Sequence, residues 1–157
     1  MKPIHTEDDL NRGLSELLTA NPRLQSISEM AGPLPLRRRP ADFQGLAHII
    51  TGQQVSVASA SAIFARLQTL VTPLTAENLS SFGDADLAAV GLSKPKIRTL
   101  RAVTTACENG LDLAGLETAP AEYAHTQLCE IKGIGRWTAD IFLLFCAGHP
   151  DIFPSGD

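Results

Sequence analysis

Cysteine is scarce in this chain and poorly spaced for chemistry. The three, Cys107, Cys129 and Cys146, lie too far apart to suggest a zinc site or a redox pair. An odd count, in a chain that opens on the polar stretch Met1-Lys2-Pro3-Ile4-His5-Thr6-Glu7 rather than a signal peptide, fits a reducing cytoplasm. The four histidines are scattered, and none shows the i, i+4 partner expected of a helical metal site. No apolar run reaches the length that spans a bilayer, which argues against a membrane partner. Positive charge is not in excess: 13 Lys and Arg against 17 Asp and Glu leave a formal net charge of −4. That excludes a wholesale basic, histone-like DNA binder, but not a nucleic-acid surface, which depends on local charge alone. Internal repeats, low-complexity tracts and strand-like alternation are also missing, so the fold class expected is all-α.

The remaining composition is that of an ordinary globule. The chain has 157 residues, 44% hydrophobic and 19% charged, enough for one domain with a sizeable core. Leu10, Leu14, Leu17 and Leu18 share one face of a helix expected over residues 8–21. Gly32-Pro33-Leu34-Pro35-Leu36 breaks the pattern, and Arg37-Arg38-Arg39-Pro40 reads as a solvated basic corner. Phe43, Leu46, Ala47 and Ile50 form one apolar stripe; Val57, Ala60, Ile63, Phe64, Leu67 and Val71 form another, with Gly52-Gln53-Gln54 between them. Thr72-Pro73 ends that pair. Asp84 is suited to cap a short helix ending at Gly91, and Ser93 to cap the next, with Pro95 in its first turn. That second helix carries Lys94, Lys96, Arg98 and Arg101 and runs to about residue 109. Pro120 opens a helix through Leu128, and Trp137, Ile141, Phe142, Leu144 and Phe145 belong to a last one, stopped by Gly148-His149-Pro150.

Between those last two helices stands Lys132-Gly133-Ile134-Gly135-Arg136. Gly133 and Gly135 can adopt positive φ, so the chain can turn sharply there. The N–H groups opening the following helix lack intrahelical partners, and with the helix dipole they attract an anion. Lys132 and Arg136 flank the turn. Taken alone, the motif reads more readily as a plain helix–helix turn.

The longer stretch Ile131-Lys132-Gly133-Ile134-Gly135-Arg136-Trp137-Thr138-Ala139 resembles the helix-hairpin-helix of the DNA glycosylases with a Gly/Pro-rich loop and a downstream aspartate. The aspartate matched is Asp157, 22 residues (157 less 135) after Gly135, a gap that fits the family. Ile49-Ile50-Thr51-Gly52-Gln53-Gln54-Val55-Ser56 resembles the segment that 3-methyladenine DNA glycosylase II enzymes present to the minor groove. Val90-Gly91-Leu92-Ser93 with Lys96, Thr99 and Leu100 resembles a third family stretch, in the family's order. The chain is similar to the bacterial alkylation-repair branch over residues 41–157.

That resemblance implies roles for particular residues. Asp157 becomes the catalytic carboxylate, stabilising positive charge on the sugar as its N-glycosidic bond breaks. Trp137 occupies the position where strand-cutting members carry a Schiff-base lysine, so a monofunctional enzyme without lyase activity is expected. Trp137 and Ile141 fall in the base pocket, where an indole face would favour a cationic alkylated purine; core packing is the competing role for Trp137. Gln54 matches the residue inserted in place of the flipped nucleotide, with Gln53 beside it, an interhelical polar link being the alternative. Lys132, Gly133, Ile134, Gly135, Arg136 and Thr138 would bind DNA phosphate, assisted by Ser93, Lys94 and Lys96, or else the latter are a solvated helix face. The family's hairpin also holds a monovalent cation, Na+ or K+, through main-chain carbonyls, which by position belong to Cys129, Ile131 and Ile134. No other cofactor is required.

The family fold is a two-lobed helical bundle. Residues 1–42 are expected to join the second lobe, and residues 43–157 to form the core, with the hairpin motif at 121–147 and the catalytic loop at 148–157. In the family, further helices follow the aspartate and complete the second lobe. A 157-residue chain without them is expected to expose apolar surface and self-associate, whereas the full-length protein is expected to be a monomer acting on alkylated duplex DNA in the bacterial cytoplasm, at the nucleoid.

Overall fold

The computed structural model describes residues 2–155; Asp157 lies outside the described residues. Every regular element among them is helical. Helix α1 (Glu7–Ala20) begins in a capping box, Thr6 accepting from the Asp9 N–H while the Asp9 carboxylate receives the Thr6 N–H. A 3₁₀ turn leads into α2 (Gln25–Ala31), whose apolar residues Ile27 and Met30 stay exposed. Neither α1 nor α2 contributes a buried residue; the buried apolar core runs from Phe43 to Ala147.

The core is organised around α3 (Phe43–Gly52), which packs against α4 (Val57–Leu70), α7 (Lys94–Glu108) and α9 (Arg136–Phe142). Asp42 caps α3 by accepting the Gly45 N–H at 2.8 Å. Gly45 is needed there because the Pro40 carbonyl occupies the space a side chain would take. Leu46, Ile50, Leu67, Leu100, Leu128 and Phe142 are fully buried, each stabilising the fold by roughly 1.5–3 kcal/mol. Two short helices, α5 (Ala76–Ser80) and α6 (Asp84–Ala89), brace the far side of α7. Helix α8 (Ala121–Cys129) precedes the hairpin, and α9 continues after Phe142 into π-helical turns, Leu143–Ala147.

Three details differ from the sequence reading. Gly83, not Asp84, is the N-cap of α6, and the Asp86 carboxylate accepts the Gly83 N–H at 2.9 Å; Asp84 is instead committed to Arg101. The basic run is a solvated corner at Arg37 and Arg39 only: Arg38 is partly buried and pairs with Glu117 at 2.8 Å. Helix α5 was not foreseen because a five-residue element shows no full apolar period.

Candidate active site

The hairpin uses its two glycines differently. Gly133 has φ +96°, and a Cβ there would collide with the Thr99 side chain on α7. Gly135 is the N-cap of α9 at φ −92° and ψ 173°, extended backbone open to any residue, with no atom within 4 Å of where a Cβ would sit. Positive φ is thus required of Gly133 alone, while Gly135 leaves open space in front of the helix. The first bond of α9 runs from the Ala139 N–H to the Gly135 carbonyl at 3.0 Å, so the N–H groups of Arg136, Trp137 and Thr138 precede the helical ladder. Lys132 and Arg136 flank that opening, both exposed and without an ion pair among the described residues.

A second turn lies alongside. Gln53 (φ −61°, ψ 131°) closes α3, and Gln54 follows at φ +55°, the only positive-φ residue other than glycine among those described. This is the pattern of a type II turn, whose third position normally takes glycine or asparagine. Glutamine there carries roughly 1–3 kcal/mol of strain, which persists only where the surroundings impose it. They do so from two sides. The Gln53 amide donates to Thr138 Oγ1 on α9 at 2.7 Å, and Lys96 Nζ on α7 donates to the Thr51 carbonyl at 2.7 Å. Gln53 therefore serves as an interhelical link. Gln54 is exposed, with Val55 and Val57 exposed beside it.

The cations of α7 divide into two groups. Lys94 and Arg98 are exposed, and Ser93 is the exposed N-cap whose hydroxyl makes no capping bond. Lys96 is partly buried on Thr51, and burial draws its ammonium below the ordinary lysine range. Arg101 reaches the carbonyls of Leu79 and Phe82 and the Asp84 carboxylate, so it ties α5 and α6 to α7. Thr138 likewise is buried and turned toward Gln53. The links made by Thr138, Lys96 and Arg101 escaped the sequence because each joins residues far apart in the chain.

Trp137 and Ile141, one turn apart on α9, pack against the core while remaining partly exposed. On another face of the two-helix unit, His125 Nε2 stands 3.3 Å from Asp140 Oδ1 and His125 Nδ1 3.7 Å from Cys129 Sγ. His125 thus has an i, i+4 partner after all, Cys129. Burial first, then the Asp140 charge, pushes the Cys129 thiol above its ordinary value, so it is held as a thiol. Among the described residues no group of three or more His, Cys, Asp or Glu is arranged to hold a metal ion.

No family model matches the chain. The crystal structure of a DNA-3-methyladenine glycosidase from Bacillus halodurans superposes with a TM-score of 0.84 at 38% identity, over 92% of this chain and 68% of that one. The chain belongs to the 3-methyladenine DNA glycosylases of the helix-hairpin-helix superfamily. Another member, 3-methyladenine DNA glycosylase of Schizosaccharomyces pombe solved in complex with abasic DNA, superposes with a TM-score of 0.69 at 25% identity, over 85% of this chain and 67% of that one. The DNA-3-methyladenine glycosylase 1 of the same yeast is 29% identical over 120 residues, 73% of this chain. This chain spans about half of that relative's length, 53%.

Proposed function

We propose that this protein is a monofunctional DNA glycosylase of base excision repair that releases alkylated purines from duplex DNA after flipping them out of the stack. The observation carrying the reading is the pairing of an open helix N-terminus, flanked by free cations, with a strained, exposed glutamine turn hydrogen-bonded to the same helix. Family membership supplies the reaction class.

The residues take these parts. The N–H groups opening α9, with Lys132 and Arg136, hold a backbone phosphate; Ser93 and Lys94 at the start of α7 hold another. Gln54 enters the duplex and offsets part of the few kcal/mol that extrusion requires. The extruded base meets Trp137, with Ile141 below it. Alkylation at N3 or N7 makes the purine cationic, which favours an indole face and makes the base a good leaving group. The C1′–N bond then breaks with both electrons leaving on the purine, which becomes neutral. The Asp157 carboxylate offsets the positive sugar and takes a proton from the water that adds to C1′. With tryptophan where a lysine would be needed, no Schiff base forms and the strand is not cut.

A structural Na+ or K+ fits the main-chain carbonyls of Cys129, Ile131 and Ile134. Cys129 closes α8, so its carbonyl has no following helical turn, and the Ile131 carbonyl receives only the Ile134 N–H, at 3.0 Å. The ion would supply positive charge next to the bound phosphate. Residues 1–42 belong with a second lobe and 43–157 with the glycosylase core; the full-length protein works as a monomer on nucleoid DNA.

The test is release of 3-methyladenine and 7-methylguanine from alkylated duplex DNA by the full-length protein. Loss of release with DNA binding retained in Asp157→Asn is expected. Damage-indifferent binding without release would instead mark a non-catalytic hairpin module, and release of other bases only would mark a different lesion class.

A further inference from the structure

The turn that carries Gln54 has no reason of its own to be left-handed. Nothing in Gln53-Gln54-Val55 supplies the glycine or asparagine that such a turn prefers, yet Gln54 sits at φ +55°. The flanking helices hold it. The Gln53 amide is fixed by Thr138 Oγ1 at 2.7 Å, and Thr138 is itself buried in the first turn of α9. The carbonyl of Thr51, in the last turn of α3, is fixed by Lys96 Nζ at 2.7 Å from the first turn of α7. Ser56, capping α4 through the Ser59 N–H, fixes the exit. The acceptor Thr138 Oγ1 and the donor Lys96 Nζ therefore come from the first turns of two helices, α9 and α7.

We infer that Gln53, Thr138 and Lys96 form a brace that positions Gln54 for insertion into the duplex. The inference rests on the proposed function and deepens it. None of the three touches the reacting atoms; they are positioning residues. Thr138 fixes Gln53, and Gln53 sets the conformation from which Gln54 enters the stack. Lys96, although cationic and at the head of α7, acts on Thr51 rather than on the nucleic acid.

The test compares Thr138→Val, which keeps the shape and removes the acceptor, with Thr138→Ser, which keeps the acceptor, and adds Lys96→Met. Three readouts are taken on the full-length protein: amide exchange over residues 53–56, the fluorescence of a 2-aminopurine placed opposite an abasic analogue in bound duplex, and single-turnover release of 7-methylguanine. Thr138→Val and Lys96→Met are expected to speed exchange of the turn, and to weaken the fluorescence response and slow release by about tenfold, the effect of one ordinary hydrogen bond. Thr138→Ser is expected to restore all three readouts. Adding Thr138→Val to Gln54→Ala should cause little further loss of release. Equal behaviour of the Val and Ser variants, or full additivity with Gln54→Ala, overturns the brace. Should the wild type release no base, the proposed activity fails while exchange and fluorescence still decide the brace.

Discussion

Replacing the two hairpin glycines one at a time separates folding from binding. In Gly133→Ala, the new methyl is placed at φ +96° and driven into the Thr99 side chain. Thr99 is buried, and its hydroxyl is engaged with the Pro95 carbonyl at 3.1 Å, so it has no room to retreat. Backbone strain of about 1–3 kcal/mol and overpacking of similar size overlap, giving an expected loss of about 3 kcal/mol and a melting temperature lower by roughly 10 °C. In Gly135→Ala the backbone is already extended and the methyl meets no atom within 4 Å. A slightly poorer N-cap and a less flexible unfolded chain nearly cancel, leaving stability within about 1 kcal/mol of wild type. The methyl instead takes up part of the open space beside the start of α9, and affinity for duplex DNA should fall about tenfold, as for one lost charge-assisted contact. Guanidinium melts and fluorescence anisotropy at fixed salt measure the two quantities. Equal destabilisation by both variants, or wild-type affinity in Gly135→Ala, refutes the division of labour.

Three other expectations follow from the same geometry. Arg101→Met should lower stability by about 2 kcal/mol through the orphaned carbonyls of Leu79 and Phe82 and leave the salt dependence of DNA binding unchanged, whereas Lys132→Met should reduce that slope by about one; denaturant melts and salt titrations read both. Burial, then the Arg39 charge, holds His48 below its ordinary pKa of 6.5; the unfolded chain binds the proton more readily, so stability is full above 6.5 and declines as pH falls, a decline that His48→Gln should flatten in melts between pH 5 and 8. Leu17, Ile27 and Met30 are 51%, 61% and 88% exposed, so this 157-residue chain should self-associate and Met30→Glu should reduce it, as sedimentation velocity would show.

The parts of the molecule legible in the sequence were those governed by near neighbours. The Gly-x-Gly between two apolar periods located the hairpin, and the stripes of α3 and α4 located the core helices, because turns and helix faces are set within a few residues. The long-range side-chain partners were not legible. Arg101 reads in sequence as one more cation on a basic helix start; only the fold shows it occupied by three groups of α5, α6 and the turn between them. Lys96 and Thr138 are similar cases, each with a partner more than 40 positions away. Arg38 looked solvated because its partner Glu117 lies 79 positions on. Gly135 looked like a positive-φ residue because composition does not distinguish a glycine kept for its backbone from one kept for the space it leaves.

The segment leading toward Asp157 is fastened at its base. Gly148 turns the chain at φ +73°, with Arg38 and the Ile4 carbonyl filling the space beside it. The Ile4 N–H donates to the Gly148 carbonyl at 2.8 Å, and the buried His149 donates from Nε2 to the Leu116 carbonyl at 2.8 Å. The first residues of the chain are therefore part of the mooring of the segment that follows Gly148. A change as remote in sequence as Ile4→Pro, which deletes that N–H, acts on the placement of this segment as directly as a change at Gly148 itself.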